Sequence, residues 1–169
     1  NKFAKLLRKV LEYSSLEAVT LKEEIDWIEE YLNLEALRFD NKLKWNFIGL
    51  DSIPPTTRIP ALVIQPVIEN SIIHGLFPKK DGGTINLKYS QAPDNRSITI
   101  IIEDNGVGRK ESSTSFFKDH NSKGTLITTK RLEYLSKRYE TECNFEIIDL
   151  FNSKGMPIGT SVTMVLPIL

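Results

Sequence analysis

The sequence predicts a mixed α/β domain with helices at its N-terminal end, and three observations predict it. Apolar residues recur at helical spacing through the first 39 positions. Two later stretches alternate apolar and polar residues at strand period and are separated by turn-forming sequences. Between them lies a segment that is apolar around most of its circumference, as expected of a buried helix.

The first stripe, Phe3, Leu6, Leu7, Val10 and Leu11, predicts a helix reaching about Leu16. Thr20 followed by Glu23 forms a capping box, from which Leu21, Ile25, Ile28 and Leu32 carry a second helix to about Phe39. Asp40-Asn41 breaks the pattern, which sets a boundary between a helical segment, 1–39, and a domain, 40–169. Lys44 to Ile48 alternates as a strand before Pro54-Pro55. Leu62 to His74 is the buried helix, with Gly75 as its C-terminal stop. Ile85, Leu87 and Tyr89 alternate with polar neighbours, and Ile98 to Glu103 follows behind Ala92-Pro93-Asp94-Asn95, so the two pair as a hairpin. Residues 109–123 are polar and aperiodic apart from Phe116-Phe117, which is the pattern of a lid. A helix is expected from about Gly124 to Tyr139, then strands near 143–149 and 159–166, with Val162, Met164 and Leu166 on one face.

Lys and Arg number 22 against 22 Asp and Glu, so there is no net field to draw in a nucleic-acid backbone, and nucleic acid is excluded as a partner. The lone cysteine, Cys143, has no internal disulfide partner, fits a reducing compartment, and reads as a small buried hydrophobe in a strand. No apolar run approaches the length needed to cross a bilayer. The chain opens on Asn1 inside an amphipathic pattern, which suggests a piece of a longer protein whose other part holds a membrane anchor.

Chemistry concentrates in four segments. Gln65 to Gly75 places Glu69 and Asn70 inside an apolar helix, where buried polar groups need partners. They either cap neighbouring backbone or, for Asn70, offer a side-chain oxygen to the hard Mg²⁺ that accompanies nucleotide phosphates. Glu103-Asp104-Asn105-Gly106-Val107-Gly108 puts a carboxylate at a strand end, where it can accept from an exocyclic base amine while glycines let the backbone pass close to a ligand. Ser122-Lys123-Gly124 opens a helix whose N–H groups favour phosphate, and Gly159-Thr160 starts the last strand.

In order, these segments resemble the nucleotide boxes of the GHKL superfamily, and the surrounding residues resemble its LytS-like sensor histidine kinases. The resemblance runs from Leu6-Leu7-Arg8 and Tyr13-Ser14 through Thr20-Leu21, Glu23-Glu24, Tyr31-Leu32, Arg38-Phe39 and Ile59-Pro60 to Gln65-Pro66, His74-Gly75, Asp104 to Gly108, Arg131-Leu132 and Gly159-Thr160. It implies a two-layer α/β sandwich, a mixed sheet with helices on one face, that binds ATP and Mg²⁺. Asn70 is then the metal ligand, Asp104 recognises the adenine amine, Gly106 and Gly108 hinge the lid, and Thr160 supports the base through water. Glu69 becomes a proton-handling or outer carboxylate, His74 a residue near the site without an acceptor role, Gly124 part of the second glycine box, and Lys79 or Lys80 a phosphate contact; His120 is a lid residue.

This chain has Ser122-Lys123-Gly124-Thr125 where the family begins Gly-x-Gly-Leu, and the family's phosphoacceptor histidine lies upstream of the first helix here. The resemblance implies transfer of the γ-phosphoryl of ATP to that histidine, outside this chain, and relay to a response-regulator aspartate. It places the chain as the cytoplasmic part of a bacterial inner-membrane sensor that is a homodimer at full length. A GHKL ATPase and a nucleotide-sensing or dimerisation module without turnover are the competing readings.

Overall fold

The computed structural model describes residues 8, 11–13, 15–40, 42–79, 81–109 and 120–169, with the side chains of 120–127 left aside. The expected first helix lies mostly outside these residues; 8 and 11–13 are helical. Lys80 and most of the expected lid, 110–119, lie outside them too.

A strand too short to announce itself, β1 (Ala18–Thr20), leads into helix α1 (Leu21–Ala36). The capping box forms as expected. The Thr20 N–H donates to the Glu23 carboxylate at 2.8 Å and the Glu23 N–H donates to the Thr20 hydroxyl at 3.2 Å, which contributes about 1 kcal/mol to the helix start. Leu21, Trp27, Ile28, Tyr31, Leu32 and Ala36 form its buried face, with the Trp27 and Tyr31 rings stacked 5.7 Å apart. A tight 3₁₀ turn, Leu37–Phe39, ends at Asp40 in the left-handed region, φ 50°.

The sheet contains β2 (Leu43–Ile48), β4 (Gly83–Gln91), β5 (Ser97–Asp104), β6 (Asn144–Phe151) and β7 (Pro157–Pro167), in the order β2-β4-β5-β7-β6. Among the described residues only β2 and β4 pair in parallel; the expected hairpin is β4–β5, with Leu87 opposite Ile102. A separate strand β3 (Arg58–Pro60) pairs antiparallel with β1, aligning Val19 with Ile59.

Alternation assigns the two faces. Ile85, Leu87 and Tyr89 of β4, Ile98, Ile100 and Ile102 of β5, and Val162, Met164 and Leu166 of β7 point to the helices and are buried. Burying each such side chain contributes roughly 1.5–3 kcal/mol. The opposite face carries Asn46 bonded to Asn86 at 2.8 Å and Lys88 paired with Glu103 at 2.7 Å, both cross-strand. This is the expected two-layer arrangement of a mixed sheet with helices over one face. The core is continuous from α1 to Leu132 and Leu135 of helix α3 (His120–Tyr139).

Five expectations need correction. The internal helix α2 is Gln65–Asn70 rather than 62–74, because Leu62 adopts a left-handed φ of 55° and Pro66 sits in the first turn, where a missing N–H is harmless. Gly75 does not stop it: the helix widens into a π turn, Ser71–Leu76, closed by the Phe77 N–H on the Ile72 carbonyl at 2.8 Å. Its apolar circumference is not wholly buried, since Ile73 is 47% exposed. Helix α3 starts at His120, so Gly124 lies one turn inside it rather than opening it, a position that a glycine occupies at a cost of about 1 kcal/mol. Cys143 precedes β6 and is half-buried, with burial pushing its thiol up.

Candidate nucleotide site

The last residue of β5 is Asp104, only 3% exposed. A carboxylate so enclosed requires donors. Its Oδ1 accepts the Gly106 N–H at 2.9 Å, and its Oδ2 accepts the Thr160 hydroxyl in a short hydrogen bond. Thr160 is there because β7 pairs with β5 in a register that sets Asp104 opposite Thr160.

The π turn presses against this carboxylate. A Cβ on Gly75 would lie 2.8 Å from Asp104 Oδ1, and one on Gly106 would lie 2.4 Å from the Gly75 carbonyl carbon, so both positions exclude any side chain. The Val107 N–H closes the contact by donating to the Gly75 carbonyl at 2.9 Å. Single turns of this kind recur at functional sites in helices. Here the extra residue in the turn delivers Gly75 to Asp104.

The loop after Asp104 is fixed from several sides. Asn105 accepts the Thr84 N–H on its side chain at 2.8 Å and donates its own N–H to the Thr84 carbonyl at 3.2 Å. The Lys79 ammonium donates to the Asn105 carbonyl at 2.9 Å, so this lysine is anchored on the loop backbone. Gly108 takes φ 74°, a left-handed turn that favours glycine. The next residue, Arg109, forms a bidentate pair with Asp149 of β6, both bonds 2.9 Å. That pair binds the root of the 110–119 segment to the sheet; nothing in the sequence pattern joins two residues forty positions apart.

Glu69, Asn70 and His74 are all half-buried on α2 and its π turn, less enclosed than expected for His74. Glu69 accepts the Gln65 amide at 2.5 Å and lies near enough to Tyr31 of α1 to help raise its phenol, after burial itself. The structure therefore brings together Asp104, Gly106, Thr160 and Lys79, with Gly108 at the exit of the loop. Gly124 belongs to a helix whose side chains at 120–127 are outside the described set. Gly75 and Arg109 are the residues whose part in the site the sequence pattern does not reveal.

Residues 1–43 match the histidine kinase family. The chain is 30% identical over 168 residues to the uncharacterized protein YwpD of Bacillus subtilis (strain 168), covering 97% of this chain and 56% of that protein. It is 31% identical over 105 residues to the sensor histidine kinase YpdA of Escherichia coli (strain K12), covering 62% of this chain and 18% of that one. It spans about half the length of the first of these relatives and about a fifth of the second. Among solved structures, the histidine kinase ThkA in complex with its response regulator TrrA has the same fold, with a TM-score of 0.55 at 13% identity over 99% of this chain and 48% of that one. These similarities agree with the mixed α/β sandwich and with the resemblance carried by the sequence motifs. No helix among the described residues is long and apolar enough to cross a membrane.

Proposed function

We propose that the chain is the ATP-binding catalytic portion of a LytS-like sensor histidine kinase, divided near residue 40 between a dimerising helical segment and the catalytic domain. The observation that carries this reading is the Asp104 carboxylate. A carboxylate offers about four lone-pair sites, and Gly106 and Thr160 occupy two. Capacity therefore remains for one more donor, which suits the exocyclic amine of adenine. Gly75 and Gly106 let the surrounding backbone approach this carboxylate closely.

Asp104 orients the base, and the Thr160 hydroxyl holds that carboxylate in place. Asn70, on α2, offers its side-chain oxygen to Mg²⁺, which typically takes only one or two protein ligands beside phosphates and water. Glu69 stays near it, tied to Gln65. Lys79 fixes the Asn105 backbone and, on this reading, either keeps that task or turns to phosphate. When bound, ATP supplies the phosphoryl group and Mg²⁺ neutralises charge on its oxygens. The residues here then serve positioning and electrostatics rather than covalent chemistry.

The acceptor is a histidine outside these residues. The chain has two histidines, and His74 lies in the π turn next to Gly75, near the site and without an acceptor role. Relay to a response-regulator aspartate follows in the whole protein, and the solved complex of ThkA with TrrA supports a partner of that kind. Full-length homodimerisation and attachment to a bacterial inner membrane, with this portion on the cytoplasmic side, complete the proposal.

Labelled ATP with Mg²⁺, given to the chain alone and then with an acceptor helical segment added, tests it. Labelling of the added segment and none of this chain is expected. Release of free phosphate without labelling would favour an ATPase, and binding without either would favour a nucleotide-sensing module.

A further inference from the structure

Helix α3 and the segment that enters the domain, residues 17–24, meet at two places one heptad apart. Arg131 and Arg138 lie on one side of α3, and each faces a glutamate of that segment.

At the inner place, Glu24 of α1 is fully buried and acts electrostatically on Arg131, which is itself half-buried. The Arg131 guanidinium donates to the Ala61 carbonyl at 2.6 Å, and the Ala61 N–H donates to the Glu17 carbonyl at 3.3 Å. Ala61 follows β3, the strand paired with β1. One buried residue thus links the entering segment to α3 through both its backbone groups.

At the outer place, Glu17 pairs with Arg138 at 2.9 Å and accepts the Tyr139 hydroxyl in a short hydrogen bond. The Arg138 guanidinium donates to the Tyr134 hydroxyl at 2.6 Å and stacks near the Tyr134 and Tyr139 rings, at 5.9 and 5.7 Å. A lone exposed ion pair would hold little. A guanidinium held by two rings and the Tyr134 hydroxyl is already ordered before Glu17 meets it.

We propose that Arg131 and Arg138 are positioning residues, which with Glu24 and Glu17 fasten α3 to the segment entering the domain, so that movement of the upstream helices displaces α3 and alters nucleotide binding. The last clause rests on the nucleotide reading of the Asp104 site; the fastening does not. Arg131 also holds the Ala61 carbonyl, four residues before α2 and its Asn70, so a shift of α3 is passed to the candidate site.

The test uses the whole chain with Arg138→Glu, Glu17→Arg and the double reversal. Hydrogen exchange is followed at amides 128–139 without nucleotide, and affinity is measured for a fluorescent ATP analogue with Mg²⁺. Each single reversal should speed exchange there by about tenfold while β4 and β5 stay protected, and weaken the analogue by about fivefold. The double reversal should recover most of both. Exchange like the unmodified chain in the singles, no recovery in the double, or loosening spread equally over β4 and β5 overturns the fastening. Recovered exchange with analogue affinity unchanged throughout overturns its link to nucleotide. If the unmodified chain binds no analogue, the nucleotide reading fails, and the exchange arm still decides the fastening.

Discussion

Asp104 and Glu24 are both buried, and in opposite ways. Asp104 lies at a strand end with one oxygen on a backbone N–H and the other on a hydroxyl. Glu24 lies in the core on α1, and neither of its oxygens has a hydrogen bond of standard geometry. Nearby, the Trp27 ring N–H and the Tyr89 hydroxyl are also buried without hydrogen-bond partners. Burial pushes the Glu24 carboxyl up to about 7, and the favourable influences of the Leu62 amide and Arg131 offset only part of that. Low exposure alone does not decide what a buried acid does; the donors around it do. Asp104 is satisfied and has acceptor capacity to spare, as a ligand contact requires. Glu24 is a cost that the fold carries.

The largest effect should come from that cost. An unfolded glutamate ionises near 4.5 and the folded one near 7, so between those values the native state holds the extra proton. This group's stabilising contribution is therefore present below about pH 4.5 and is lost as pH rises through 7. The full span is on the order of 3 kcal/mol. Denaturant melts at pH 5 and pH 8 should show the loss, superimposed on other titrations, and Glu24→Gln should flatten it. A variant with the same pH slope as the unmodified chain would show that the slope arises elsewhere.

Next in size is Asp104→Asn. It should weaken ATP by roughly ten- to a hundredfold, because a hydrogen bond to a charged group contributes about 1.5–3 kcal/mol. Unchanged affinity in a folded variant removes Asp104 from the base site and leaves the two buried acids alike. A smaller and more selective loss is expected from Asn70→Ala, where titrations with and without Mg²⁺ should differ by severalfold and equal losses would make Asn70 structural. The smallest effect belongs to the exposed clamp. Arg109→Ala and Asp149→Ala, combined in a double-mutant cycle, should show a coupling of about 0.5–1 kcal/mol in stability. Additive losses would mean that the bidentate pair does not hold the loop.

Range along the chain decides which features are legible in the sequence. The Thr20/Glu23 cap, the β4–β5 hairpin and the common face of Val162, Met164 and Leu166 are local patterns, and the structure keeps them. The β1–β3 pair is invisible because three residues carry no period. The π turn escapes notice because apolar spacing near 3.6 looks alike whether the backbone bonds close after four residues or five, and Gly75 then looks like a stop. In the site, Asp104 stands out as a charge ending an apolar strand. Its partner Thr160 and the Arg109–Asp149 pair depend on the alignment of strands distant in sequence, which composition does not encode.

The π turn also makes the molecule unusually sensitive to chain length at one place. Each residue of an α-helix rotates the downstream chain by about 100° around the axis. Adding or removing one residue within Ser71–Leu76 while the wide turn is kept would therefore swing the chain beyond it by about that angle and carry the Gly75 carbonyl off the Val107 amide. Substitutions at Ile73, whose side chain faces outward, leave the angular phase of the helix intact. The segment tolerates a change of letter better than a change of count, because its function is encoded in the number of residues between Asn70 and Gly75 as much as in their identity.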